Sequence, residues 1–406
     1  MAIAEHVEVV MQGAAALAKW QGNNPGVVLQ LDGSKLTDLD LTGANLAGAN
    51  LQKSRLHGTK LINAHLMGAN LKFANLTQAN LQRAKLMGAN LQGATLQRAS
   101  LFHANFQGGK LNGADLSGAK APSAKFNRCQ LQMASFEQAN LAHAQFIRSR
   151  LASAKFDGAN LIGIDFSGSN LSGARLTGCE LSGANLEGAS LNNVDFQGAI
   201  LSKANLKGAS LTLTKFQGAN LSGADLKLAN LRKTDLKNAN LSEATLQGVN
   251  LLSAKLQRTN LTGANLKGAN LQNTMMQRAD FTRANLESAS LKNARLDWAI
   301  LIGATLIKAD LSNATLNGAN LTETILEGAN LDGAYLIKSD LTLANLTSAT
   351  LHGTDLSTAI LREAVLEWAS LLLASFKFAD LSLSNFTNAY VDRTDFTGVK
   401  TEGMFY

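Results

Sequence analysis

A large apolar residue recurs at every fifth position through nearly the whole chain. From Leu31 to Phe396 this phase holds without an insertion or deletion, and only Ala121, Met276 and Val391 replace the usual Leu or Phe. An α-helix buries positions three and four apart, and a β-strand buries alternate positions, so neither accommodates this spacing for long. The period of five therefore predicts a repeated turn of the backbone, which is typical of a solenoid.

The other positions of each pentad indicate which residues face inward. A small residue, usually Ala, stands two positions before each large one, while polar residues and Gly fill the remaining three. Each pentad can then form one short side of a tube that turns at its Gly-rich end. The Phe residues at 106, 126, 146 and 166 lie 20 residues apart. Because bulky rings must stack level upon level, this spacing predicts four pentads per coil and about 18 coils in a rod about 90 Å long.

The stretch "GANLSGADLKLANL" at 218–231 resembles the pentapeptide-repeat family, whose pattern is Ala, then Asn or Asp, then Leu or Phe, then two variable residues. The resemblance covers residues 31–400. It implies an all-β solenoid, specifically a right-handed quadrilateral β-helix. The opening "AEHVEVVMQGAAALAKWQGNNPG" is similar to the N-terminal caps of family members from photosynthetic bacteria, which implies a bacterial protein.

The chain divides into three segments on this interpretation. Residues 1–30 form a capping segment, in which apolar residues at helical spacing from Val7 to Trp20 predict a short helix that ends before Pro25. We expect this helix to cover the first coil, and a partner-binding helix is the alternative. Residues 31–400 form the β-helix, and residues 401–406 form a C-terminal tail.

The residue types needed for catalysis do not converge anywhere on the four-sided arrangement. The six histidines scatter over the sides, and no nucleophile stands beside a base. Cys129 and Cys179 occupy small inward positions two and a half coils apart, beyond disulfide reach. We therefore predict no enzyme activity, no catalytic residues, no cofactor and no metal site. The apolar opening segment is too short and too charged for a membrane span, and we expect a cytoplasmic protein.

Charge provides one candidate surface. The chain has a net charge of +7, and residues 52–131 carry an excess of Lys and Arg over a single acid, Asp115. Without an exposed aromatic row, this surface predicts only weak, nonspecific binding of nucleic acid, and simple solvation is the plainer interpretation. The nucleus of a real patch is Arg128 and Arg148, one coil apart, and the candidate basic patch comprises Lys125, Arg128, Arg148 and Arg150.

Large apolar residues at outward positions concentrate near the C-terminus, and their densest run is residues 366–383. Such a belt favours a contact with another molecule. We expect a homodimer joined through the C-terminal coils, as in other family members, and the alternative is that the tail folds back over the end. The candidate interface residues are Trp368, Leu372, Leu373, Phe378 and Leu383.

These features favour a non-enzymatic scaffold, a rigid rod that presents its sides to an unidentified protein partner. The resemblance also implies an alternative, because some bacterial family members mimic DNA, protect gyrase and confer quinolone resistance. Those members are acidic rods, and the positive charge of this chain disfavours that alternative.

Overall fold

A computed structural model describes all 406 residues of the chain. Two short helices, α1 (Ala4–Met11) and α2 (Ala14–Asn23), precede a long series of pentads. The chain forms two compact units, Met1–Asn205 and Leu206–Tyr406. Unit 1 contains both helices and unit 2 none, and within each unit the pentads build a right-handed quadrilateral β-helix.

Successive coils are joined by single-residue parallel β-bridges between residues 20 apart. In unit 1, Asn50 pairs with Asn70, and in unit 2, Asn250 pairs with Asn270. The amide of Leu51 donates to the Asn70 carbonyl over 2.7 Å, and the Asn70 amide donates back to the coil below. No strand grows beyond one bridge because a turn interrupts the chain every five residues.

Each pentad turns the chain through a tight corner of β-turn type II. The Ala74 amide donates to the Leu71 carbonyl over 3.0 Å, and the third turn residue, Phe73, has a φ of 57°. Type II turns need a left-handed residue at this position, for which glycine is best suited. The position is nonetheless more often occupied by other residues than by glycine. We call it the corner position.

Where Asn or Asp precedes a large apolar residue, its side chain can have two structural roles. In unit 1 the Asn70 Oδ1 accepts from the Lys72 amide at 3.3 Å, while its Nδ2 donates to Asn50 Oδ1 in the preceding coil at 3.2 Å. The first contact satisfies a turn amide that the inter-coil ladder leaves unused. The second contact extends a side-chain ladder along the same side.

The core of each unit contains stacked large side chains. The ring centroids of Phe106 and Phe126 lie 4.8 Å apart and those of Phe126 and Phe146 lie 4.7 Å apart, with nearly parallel planes. In unit 2, Phe376 and Phe396 stack at 5.4 Å. The 20-residue spacing of Phe therefore marks one coil, and the prediction of four pentads per coil is confirmed.

Pro122 lacks a backbone amide donor and follows the small Ala121, so the sequence predicts a local irregularity there. The structure shows no break in the repeat. Pro122 occupies the second turn residue, where φ is negative and no ladder amide is required, so proline fits. Its carbonyl still accepts from the His103 amide, at a slightly long 3.3 Å.

The N-terminal segment covers the first coil of unit 1 with two helices rather than one. Gly13, with φ at 92°, separates them. Val10 of α1 and Leu17 of α2 are fully buried, and His6 Nδ1 accepts from the Gln30 amide at 3.0 Å. The cap therefore covers apolar surface that an open coil would expose, and it provides a hydrogen-bond partner for a backbone amide of that coil.

The C-terminal end of unit 2 has no such cover. The residues assigned above to a separate tail repeat the pentad instead, because Phe405 bridges Asn385 and its carbonyl accepts from the Phe386 amide at 2.7 Å. They do not fold back over the final coil. Val391, at a large apolar position, is consequently 44% exposed, whereas its counterparts deeper in the unit are fully buried.

Candidate interaction surfaces

Side chains at the corner position extend over the corner of the next coil. A β-carbon placed on Gly93 would come within 2.5 Å of the Phe73 ring, and one placed on Gly318 within 2.6 Å of the Trp298 ring. Gly268 meets nothing within 4 Å, and the residue one coil before it is another glycine, Gly248. A bulky corner residue thus packs on the glycine 20 residues later, a relation that the pentad pattern alone did not reveal.

The apolar belt of unit 2 consists of four successive corner residues. Trp368, Leu373, Phe378 and Leu383 all have φ between 57° and 61°. Their exposures are 63%, 56%, 65% and 46%, respectively. The left-handed φ is common to corner residues throughout the chain, so these four are distinguished by the size and exposure of their apolar side chains.

The belt residues do not share one face. Trp368 and Phe378 are half a coil apart and therefore lie at opposite corners, while Leu372 is half-buried beside Leu373. A partner lying along one side can contact only two adjacent corners of this belt.

The candidate basic patch wraps one corner of unit 1. Arg128 and Arg148 occupy this corner in successive coils, Lys125 stands on the bridge before it and Arg150 on the bridge after it, and all four are exposed. The two corner arginines line an open groove of about 450 Å³ together with Asn127, Ile147 and Ser167. The structure therefore brings these four residues together.

Titratable groups elsewhere do not assemble into a reactive centre. No group of three or more His, Cys, Asp or Glu residues is placed to hold a metal ion. The thiols of Cys129 and Cys179 donate to the carbonyls of Phe106 and Phe156, and burial raises the pKa of each thiol to about 12. Neither thiol is therefore a ready nucleophile. No helix of the structure has the length and hydropathy to cross a membrane.

Coils of four pentads with a filled interior define the class of this protein as a quadrilateral β-helical solenoid. The family described as pentapeptide repeats (8 copies) matches overlapping segments over residues 30–137 and 169–398, and the pentapeptide repeat region matches 122–186. The chain belongs to the pentapeptide repeat family. No curated protein matches it in sequence.

Several solved structures are similar to this chain. HetL, a pentapeptide repeat protein involved in heterocyst differentiation regulation from the cyanobacterium Nostoc sp. strain PCC 7120, is 30% identical, with 64% of this chain and 95% of that chain covered and a TM-score of 0.25. A pentapeptide repeat protein from the Arabidopsis thaliana thylakoid lumen is 38% identical, with coverages of 24% and 68% and a TM-score of 0.24. QnrB1, a plasmid-mediated fluoroquinolone resistance protein, is 19% identical, with coverages of 49% and 90% and a TM-score of 0.31.

Proposed function

We propose that this protein is a non-enzymatic scaffold whose rigid outer sides bind a protein partner. The observation that carries the proposal is the apolar belt, with its large exposed side chains in the left-handed conformation at four successive corners. Glycine at these corners would avoid the exposed apolar surface. A partner that buries these side chains would remove that surface from water. The proposal includes a cytoplasmic location.

The proposal includes a homodimer formed through the C-terminal coils of unit 2. Its support is the large exposed apolar side chains of these coils, such as Trp368 and Leu373, because a dense exposed apolar surface usually meets another molecule. Contact between the same surface of two chains closes a dimer rather than growing a filament.

Affinity capture tests the scaffold role. The bait pair is the unaltered chain and a variant carrying Trp368→Ser and Phe378→Ser. A matched control carries Met133→Ser and Leu228→Ser, which remove exposed apolar side chains from the same turn position elsewhere. A specific partner should remain with the control and disappear from the belt variant. Equal capture by all three baits would refute a role for the belt.

Light scattering tests the dimer separately. The chain mass is 42.8 kDa, so the dimer has twice this mass at micromolar concentration. Polar replacements at Trp368, Leu372 and Phe378 should give the monomer mass, whereas Met133→Ser should leave the dimer intact. A monomer mass for the unaltered chain rules out the dimer.

Gyrase protection is the alternative function, and QnrB1 prompts the comparison. Mimicry of DNA needs a negative surface, whereas this chain has a net charge of +7 and exposes the candidate basic patch. A gyrase supercoiling assay with a fluoroquinolone decides between the two functions. Restoration of supercoiling by the protein would favour the alternative.

A further inference from the structure

One corner of unit 1 concentrates positive charge without compensation. We define the basic corner as the pentad segments 105–110, 125–130 and 145–150, which the parallel bridges place in successive coils. These segments contain no acidic residue. Their basic residues are all exposed and form no ion pair within the chain: Lys110, Lys125, Arg128, Arg148 and Arg150.

Along this corner, the first carboxylate after the basic segments belongs to the following coil, where Asp165 bridges Gln145. Asp165 Oδ1 accepts from the Ser167 amide at 2.9 Å and from Asn185 Nδ2 at 3.2 Å. Because none of the five basic residues is ion-paired, the basic corner keeps a net positive charge that can attract an external anion.

The backbone brings the two corner arginines close and points them the same way. Arg128 and Arg148 have φ values of 56° and 53° and are separated by one coil, about 4.8 Å between backbones. The Arg148 Cγ lies 3.4 Å from where a β-carbon on Gly168 would stand, so this side chain extends over the next corner. That corner carries glycine, which leaves room for the Arg148 side chain. Arg128 and Arg148 both line the groove of about 450 Å³.

The groove offers hydrogen-bond donors and charge but no stacking surface. Ser167 contributes a hydroxyl and Gln107 an amide, while Asn127 Nδ2 already donates to Gln145 Oε1 at 3.1 Å, and the only large apolar side chain is that of Ile147. The absence of an aromatic side chain disfavours a nucleobase, which binds by stacking. Two guanidinium groups match a dianion better than a single carboxylate, and arginine clusters recognise phosphoryl groups through charge-assisted, forked hydrogen bonds.

We propose that the basic corner binds a phosphoryl group carried by a phosphorylated serine or threonine in a protein partner. Arg128 and Arg148 hold the phosphoryl oxygens, and Lys125 and Arg150 attract acidic residues that flank it. We offer this site as a refinement of the scaffold role, on which it rests. The site lies in unit 1, and its test needs only purified protein and a defined ligand. If the phosphopeptide does not bind, the capture experiment with the belt variant still tests the scaffold role.

A second arginine pair in unit 2 provides an internal comparison. Arg258 and Arg278 also occupy one corner in successive coils and line a groove of about 390 Å³. Lys255 and Arg295 add two positive charges at that corner, and the carboxylates of Asp280 and Asp297 offset two. Its net positive charge is therefore lower, and we expect it to bind a phosphoryl group more weakly than the basic corner.

Fluorescence anisotropy with a labelled peptide tests the proposal. The probe is a peptide of neutral residues with one phosphoserine, and its twin carries serine at that position. The phosphopeptide should bind the full-length protein more tightly than the twin, and Arg128→Gln with Arg148→Gln should weaken it by at least about tenfold. Arg258→Gln with Arg278→Gln should have a smaller effect.

The matched control is Arg83→Gln with Arg98→Gln, which removes the same charge from the same turn position at two separate corners. This control should bind within about twofold of the unaltered protein. Equal binding of the two peptides, equal losses in the two variants, or no phosphopeptide binding up to about 1 mM would overturn the proposal. Inorganic phosphate that binds as tightly as the phosphopeptide would overturn the assignment to a protein segment.

Discussion

The packing of corner side chains on glycines in the next coil makes a quantitative prediction about two glycines of unit 2. Gly318 lies under the Trp298 ring, whereas Gly268 has open space around it. Both have φ near 65°, so replacement by Ala strains the backbone equally at the two sites. Only at Gly318 does the new methyl group also collide with a side chain.

The expected difference follows from these two contributions. The left-handed conformation costs an L-residue about 1 kcal/mol, and the lower entropy of the unfolded chain offsets part of that cost. Gly268→Ala should therefore lower the free energy of unfolding by no more than about 1 kcal/mol. At Gly318 the contact of 2.6 Å to Trp298 Cε3 must open to at least an ordinary van der Waals distance. Since overpacking costs about 1–3 kcal/mol in a rigid core, we expect about 1–2 kcal/mol beyond the common cost for this exposed ring.

Urea unfolding followed by circular dichroism measures both changes, and a double-mutant cycle isolates the collision. Trp298→Ala in the Gly318→Ala background should recover the extra 1–2 kcal/mol, because the methyl group then meets no ring. In a background with Trp20→Phe and Trp368→Phe, the emission of Trp298 alone should shift to the red in Gly318→Ala. This optical change reports the displaced ring even if the β-helix unfolds in steps.

The reasoning fails if the two glycine replacements are equally destabilising within about 0.4 kcal/mol, which is the usual limit of additivity. It also fails if removal of Trp298 leaves the cost of Gly318→Ala unchanged. Either result would mean that corner side chains move away freely and contribute nothing to the register between coils.

Three further predictions concern the core and its titratable groups. Phe126→Ala, which removes the middle ring of a stack, should cost about 3–5 kcal/mol in denaturant unfolding, and a cost below 1 kcal/mol would contradict tight stacking. Cys129 and Cys179 should resist a thiol reagent at pH 8 until denaturant is added, because burial raises each pKa from 9.0 to about 12. Since only the unfolded thiols then ionise above pH 9, stability should fall with rising pH there, and replacement of both by Ser should reduce this slope. The pKa of Asp380 is lowered, first by the hydrogen bond from the Ser382 hydroxyl. Its contribution to the free energy of unfolding is therefore present above about pH 3.8 and is lost as the pH falls through the pKa of the folded state. Asp380→Asn should flatten the acid limb of a plot of thermal stability against pH.

The candidate sites were predictable from the sequence only in part. Sequence spacing placed Arg128 and Arg148 one coil apart and grouped Lys125 and Arg150 with them. The structure shows that Lys125 and Arg150 flank the same corner, because a bridge residue before the turn and one after it border a single edge. The belt was identified from composition, but its division among four corners means that its members cannot serve one flat interface.

The sequence by itself determined the coil. One side chain must be buried every five residues, and the Phe rings must stack every 20 residues. Because these constraints act between neighbours of fixed spacing, they leave few arrangements other than four short sides per turn. Tertiary structure decided what that spacing cannot encode. It set the direction in which corner side chains extend, the glycines they cover and the break of the cap at Gly13. These features depend on backbone φ and on which residue lies one coil away, and both are properties of the assembled helix rather than of any pentad.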